Sequence, residues 1–224
     1  MSTIDSITLE VADPSAAERF YASAFDLGPQ HGPELRLRAS EAPTTGFPGF
    51  TLSLTVAQPS TVDSLVGTAL DAGAAPLKPV AKSFWGYGGV VRAPDGTIWK
   101  VATSSKKDRG PATRAVDALV LLIGASDVAA SRRFYVDRGL AVAKSFGRKY
   151  VELDTAGSPV RLGLYGRRAL AKDAGVAPDG SGSHRIVVNG DLGAFTDPDG
   201  FGWEPATVPD DRPSDATHGS PSSL

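Results

Sequence analysis

Residues 7–28 read ITLEVADPSAAERFYASAFDLG, and the rest of the chain can be parsed outward from them. Ile7, Leu9 and Val11 alternate with Thr8 and Glu10, the period-two pattern of a strand buried on one face. Asp13-Pro14 follows as an N-cap with proline at the first helical position, where its missing N–H costs nothing. Ala17, Phe20, Tyr21, Ala24 and Phe25 then recur at i, i+3, i+4, i+7 and i+8, one apolar helix face. Gly28-Pro29 predicts the stop.

The same text returns later. Asp127 precedes Phe134-Tyr135 at the spacing of Asp13 to Phe20-Tyr21, and Arg19 and Arg133 stand before the phenylalanines. Pro94-Asp95-Gly96-x-x-Trp99 comes back as Pro198-Asp199-Gly200-x-x-Trp203. Two motifs repeated in one order predict internal duplication. SSKKDRGPATR at 104–114 is polar, contains Gly-Pro and reads as a linker. The expected units are a domain over 1–104, a linker over 105–114 and a second domain over 115–206. The stretch 207–224 is rich in Pro, Ser, Asp and Thr and predicts a disordered tail.

Leu35 and Leu37 alternate with arginines as a short strand, and Phe50, Leu52, Leu54 and Val56 mark a cleaner one. Ser60 and Asp63 resemble a capping box for a helix carrying Val62, Leu65, Val66, Ala69 and Leu70, ended by Gly73. Residues 89–92 and 97–102 predict two strands joined by a Pro94-Asp95-Gly96 turn. Only eighteen residues separate His184 from Trp203, too few for a helix and three strands. The second copy has therefore lost a helix there.

Composition narrows the function. With 23 basic against 25 acidic side chains and no basic stripe, nucleic acid is not an expected partner. No run of about 20 apolar residues exists to span a membrane, and MSTIDSITLEV lacks a secretory layout. Zero cysteines leave no disulfide, thiolate metal site or cysteine nucleophile. Cytoplasm is the default expectation. A metal would need His, Asp or Glu, with His31, His184 and His218 as the histidines; His218 reads as a solvated tail residue. There is no GxSxG elbow, Walker loop or GxGxxG after a strand. Ser183 and His184 are adjacent on an expected strand, so they face opposite ways and cannot form a nucleophile–base pair.

Residues 7–28, the helix ending in DAGA at 71–74, and WGYGGVVRAPDGTIWKVA at 85–102 resemble the glyoxalase / bleomycin-resistance / extradiol-dioxygenase superfamily, the vicinal oxygen chelate proteins. The resemblance covers about residues 1–104 well and 115–205 in part. It implies an α+β fold of tandem paired βαβββ modules around a cavity, here with a shortened second domain, and frequent homodimerisation. Enzymes of this kind hold a divalent metal on His or Gln near the start of a module's first strand and Glu in its last strand. Such a metal polarises a carbonyl or binds vicinal oxygens while a carboxylate moves the proton. Matched position by position, Ser6 and Thr51 stand where the first ligands belong, and Lys100 replaces the glutamate. In the third module the position falls on Ala118 or Val120. Only the fourth keeps both types, His184 and Glu204, with Asp191 or a dimer partner left to complete a set that normally needs three protein ligands.

Without a metal, strand alternation turns Ser6, Thr8, Glu10, Thr51, Ser53, Thr55 and Lys100 toward the cavity, with Arg36 and Arg38 nearby. A polar face beside a cation suits a carboxylate or phenolate ligand, and Trp85 and Tyr87 would stack on a planar one. Tyr150, Arg161, Tyr165 and His184 are the matching candidates in the second half. The expected function is a small-molecule-binding protein for an aromatic or hydrophobic compound, without the family metal. The alternative is a lyase, isomerase or dioxygenase using Fe, Mn, Ni or Zn on His184 and Glu204.

Overall fold

The computed structural model describes residues 2–28, 35–84, 86–155 and 157–206. Trp85, His31, His218 and the expected tail lie outside them. The first module contains β1 (Ile4–Val11), α1 (Pro14–Phe25) and β2 (Leu35–Ala39), followed by the short β3 (Thr44–Gly46). The second is β4 (Phe50–Thr55), α2 (Pro59–Asp71), β5 (Ala75–Ser83), β6 (Gly86–Arg92) and β7 (Ile98–Thr103). The third repeats it as β8 (Ala118–Ala125), α3 (Val128–Asp137), β9 (Ala141–Phe146), β10 (Tyr150–Asp154) and β11 (Val160–Gly166). After α4 (Arg167–Ala174) and β12 (Gly180–Gly182), the fourth holds β13 (Ile186–Gly190), β14 (Phe195–Thr196) and β15 (Gly202–Pro205). No helix separates His184 from Trp203 among the described residues.

The modules pair first with fourth and second with third. One sheet runs β14-β15-β13-β1-β2, the other β5-β6-β7-β4-β8-β11-β10-β9, and β3 pairs with β12 alone. The first strands of paired modules lie antiparallel, β1 on β13 and β4 on β8. Each first strand runs parallel to its own module's last strand. The sequence boundary at 105–114 is thus not a boundary between sheets, since both large sheets draw on residues from each side of it. That segment is also tied down. Gln58 Nε2 donates to the carbonyls of Gly110 and Pro111, and Asp108 Oδ1 accepts from Ser60 N at 2.7 Å.

Local chemistry explains the helices. The Asp13 and Asp127 side chains accept from Ala16 N and Ala129 N, capping α1 and α3. α1 ends at Phe25, with Asp26 in the left-handed conformation (φ 60°), before the expected Gly28; a short polar side chain tolerates that region. The Ser60–Asp63 capping box does not form. α2 begins one residue earlier, at Pro59, without a side-chain cap, and Asp63 instead accepts the Tyr87 hydroxyl at 2.8 Å.

One continuous apolar core joins both sheets, with Tyr21, Phe25, Trp99 and Tyr135 among its largest fully buried side chains. The repeated motifs meet inside it. The Tyr21 hydroxyl donates to Asp95 and accepts from Trp99 Nε1. The Tyr135 hydroxyl donates to Asp197 Oδ2 at 2.6 Å and accepts from Trp203 Nε1 at 3.2 Å. Each triad links a helix of one module to the last strand of the next, and therefore one sheet to the other. No described helix is long and apolar enough to cross a membrane.

Candidate functional site

The faces turned away from α1, α2 and α3 are the ones a cavity would use. On the eight-stranded sheet, strand register lays out rows across that concave face. One row runs Lys78, Val90, Lys100, Ser53, Val120, Arg161. The next runs Ala81, Gly88, Ala102, Thr55, Ala118, all small side chains. On the other side of the first row, Thr51, Leu122, Gly163 and Glu152 lie level.

These registers identify the positions equivalent to metal ligands. Lys100 is level with Ser53, two residues beyond Thr51. The same step in the third module gives Val120 and Gly163, because Gly163 is level with Leu122. None of Thr51, Lys100, Val120 and Gly163 offers a carboxylate or imidazole. On the five-stranded sheet, Arg36 is level with Thr8, and Glu204 with Asn189, so the four positions are Ser6, Arg36, Val187 and Glu204. His184 is outside this set. It lies five residues before Asn189, a separation on the order of 15 Å at strand rise, and Arg185, in the left-handed region at φ 55°, breaks the strand between them.

The expected His184–Glu204 pair is therefore not assembled. The His184 ring stacks on Phe201 at 4.0 Å, with Nδ1 2.5 Å from the Pro48 carbonyl oxygen and Nε2 3.0 Å from that of Asp199. Both ring nitrogens are thus directed at carbonyl oxygens rather than at Glu204, whichever of the two carries the proton. Glu204 is held across its concave face by Arg38, whose guanidinium also binds Glu10 at 2.8 Å. Glu10 and then Glu204 raise the Arg38 pKa above its ordinary value. Among the described residues no three His, Asp or Glu side chains converge on a metal position. The residues present do not fit the divalent metal that the resemblance implies.

The eight-stranded face carries a helix that sequence reading missed. α4 sets Leu170, Ala171 and Ala174 against Phe47, Val90 and Ile98 in a second apolar cluster. Its approach depends on Gly124, where a Cβ would lie 2.7 Å from the Gly49 carbonyl oxygen and 3.2 Å from Arg167 Cα. Two lysines fasten its last turn: Lys100 Nζ meets Asp173 Oδ2 at 2.7 Å, and Lys78 Nζ donates to the Lys172 carbonyl at 2.7 Å. Beyond that turn an open cavity of about 280 Å³ remains, lined by Lys78, Lys82, Gly88, Lys100, Ala102 and Asp173 among others. The pattern Leu170, Ala171, Ala174 followed by Gly175, whose φ is 80°, was the available signal for α4.

The other predicted residues scatter. Ser6 and Thr8 are buried on the five-stranded sheet, sharing Asn189 Oδ1 at 3.5 and 2.7 Å. Thr51 and Ser53 are buried on the α4-bearing face, and the Ser53 Oγ has no hydrogen-bond partner. Tyr87 borders this cavity, but its hydroxyl is turned toward α2, where Asp63 accepts from it. Tyr150 packs over Gly163, where a Cβ would come within 3.3 Å of its hydroxyl; burial, then Glu152, pushes its pKa up to about 12. Its ring meets Tyr165 edge-on at 6.0 Å. Arg161 lines a different cavity of about 490 Å³, with Arg114, Asp117 and Pro159.

Comparison with known proteins adds the fold's relatives. No protein-family model matches the chain, and no curated protein matches it. Solved structures do. A point mutant of glyoxalase I from Zea mays aligns at TM-score 0.58 and 14% identity, covering 92% of each chain. A second point mutant of the same enzyme aligns at 0.58 and 14%, covering 91% of this chain and 93% of that one. A glyoxalase/bleomycin resistance protein/dioxygenase family enzyme from Burkholderia phytofirmans aligns with 46% of this chain and 99% of its own at 20% identity and TM-score 0.41.

Proposed function

This chain has the vicinal oxygen chelate fold, and we propose that it uses that fold as a metal-independent binder of a small organic molecule, held on the concave face of the eight-stranded sheet beside α4. The observation that carries the reading is Lys100. It stands where the fold's metal enzymes place a glutamate, it is joined by Thr51, Val120 and Gly163 rather than by ligands, and it lines an open cavity. An ammonium there repels a divalent cation and attracts an anion or a strong acceptor. The largely apolar walls around it suit an organic body, the usual make-up of a small-molecule site.

The test combines metal loading with ligand screening on the full-length protein. Dialysis against Zn, Ni, Mn or Fe(II) should leave less than stoichiometric metal by elemental mass spectrometry. A subset of a small-organic library should raise the melting temperature by mass action, and Lys100→Gln should erase those shifts. Stoichiometric metal lost together with turnover in Glu204→Gln would overturn the reading in favour of a metal-dependent lyase, isomerase or dioxygenase.

A further inference from the structure

We infer that the ligand of the α4 cavity is a planar organic carboxylate, and that Asp173 occupies its acid subsite in the free protein. The inference rests on the binding reading above and names the ligand class within it.

Three independent features converge. The first is the Lys100–Asp173 pair itself, whose side chains are 33% and 41% exposed. An ion pair this open is weakly held and screened by water, so a ligand carboxylate can replace Asp173 without burying a charge unpaired. Lys78 lines the same cavity from the same face as Lys100, so two cations face a single carboxylate among the described lining residues, and the local balance favours a further anion.

The second is Ser53. It is 7% exposed, its Oγ meets no partner, and it stands level with Lys100 on the adjacent strand of the same face. Paired strands lie about 5 Å apart, so a carboxylate that follows the Lys100 side chain down to the sheet accepts from the hydroxyl as well, although Ser53 itself does not line the cavity of the free protein. Buried hydroxyls are ordinarily satisfied. A ligand oxygen on Lys100 would supply what Ser53 lacks.

The third is the row of small residues beside Lys100: Ala81, Gly88, Ala102, Thr55 and Ala118. The part of it that lines the cavity, Ala81, Gly88 and Ala102, forms a shelf with little relief. A Cβ at Gly88 would lie 2.8 Å from the Val101 carbonyl oxygen, so the backbone there leaves no room for a side chain. A flat ring lies on such a shelf with its acid group turned to the lysine row. A cavity of about 280 Å³ keeps the ligand compact.

Isothermal titration of the full-length protein with 2-naphthoate, its neutral amide 2-naphthamide and inorganic phosphate tests this. The expected order is naphthoate tighter than naphthamide by at least about tenfold, with phosphate showing no binding. Asp173→Asn removes the competing carboxylate and should tighten naphthoate severalfold while leaving naphthamide unchanged. Ser53→Ala should weaken naphthoate alone, and Lys100→Gln should erase the preference for the acid; circular dichroism checks that each variant is folded. Equal binding of acid and amide, or no tightening in Asp173→Asn, overturns the carboxylate assignment and leaves small-molecule binding standing. Phosphate binding as tight as naphthoate overturns the shelf. No binding of either naphthyl probe, with the wider library also silent, overturns this inference and the proposed function together.

Discussion

The Tyr135 hydroxyl donates to Asp197 Oδ2 at 2.6 Å inside the core, while the preceding repeat makes the equivalent link between Tyr21 and Asp95. The two carboxylates are not at matching sequence positions. Asp199, the true counterpart of Asp95, is used elsewhere, accepting from Ser126 N at 2.7 Å and Ser131 Oγ at 2.6 Å. The tie is thus kept in both repeats by the motif tyrosine and tryptophan, while its carboxylate comes from the Pro-Asp-Gly motif in the first and from Asp197, just before that motif, in the second.

Removing the Tyr135 hydroxyl should measure that tie. Tyr135→Phe leaves Asp197 and the Trp203 Nε1 each short of a partner in a buried place. An unsatisfied buried group costs about 1–3 kcal/mol, so urea unfolding should show a loss in that range. A loss near zero would mean water replaces the hydroxyl.

Asp197 also carries a pH signature. Burial raises its pKa above 3.8, against donors from Tyr135 and Phe201 that lower it. A carboxyl raised in the folded state contributes stability that is fully present below its unfolded pKa and is lost as pH rises through the folded value. Asp197→Asn has no such titration. Wild type should therefore lose stability relative to Asp197→Asn as pH rises above about 4, the ordinary value for an aspartate, as read from paired denaturant curves. A widening advantage for wild type over that rise would reverse the assigned direction.

How far these features could be read from sequence differs by cause. Alternation and capping gave β1, α1, β4 and the β6–β7 hairpin because those signals are local. β5 was hidden because Pro76, Pro79 and two lysines interrupt its period, which an edge strand tolerates. The pairing of the first module with the fourth is a long-range contact that no window of sequence contains. His184 was placed by matching it to the first-strand ligand position that the resemblance implies, and the left-handed Arg185 that takes it out of register leaves no mark in such a match. Lys100 was legible as a cavity residue. Its partner Asp173 was not, because that contact depends on where α4 lands.

Gly124 decides that landing. Gly124→Ala would put a methyl group 2.7 Å from the Gly49 carbonyl oxygen. Backbone cannot yield as a side-chain tip does, so α4 or the loop before β4 must move. Overpacking of this kind costs about 1–3 kcal/mol. Chemical denaturation should show that loss, and hydrogen exchange should rise first in α4.

Arg38 tests whether Glu204 is a ligand in waiting. The Arg38–Glu10–Glu204 cluster is largely exposed, so Arg38→Ala should change stability by no more than about 1 kcal/mol. It also leaves Glu204 free of its guanidinium. If the pairing alone kept a metal away, the variant would now take up zinc. The level positions around Glu204 are Ser6, Arg36 and Val187, with His184 on its two carbonyls, so a freed carboxylate still finds no set of three ligands. Zinc titration of Arg38→Ala should match wild type, and stoichiometric uptake would show that Glu204 recruits partners from a rearranged face.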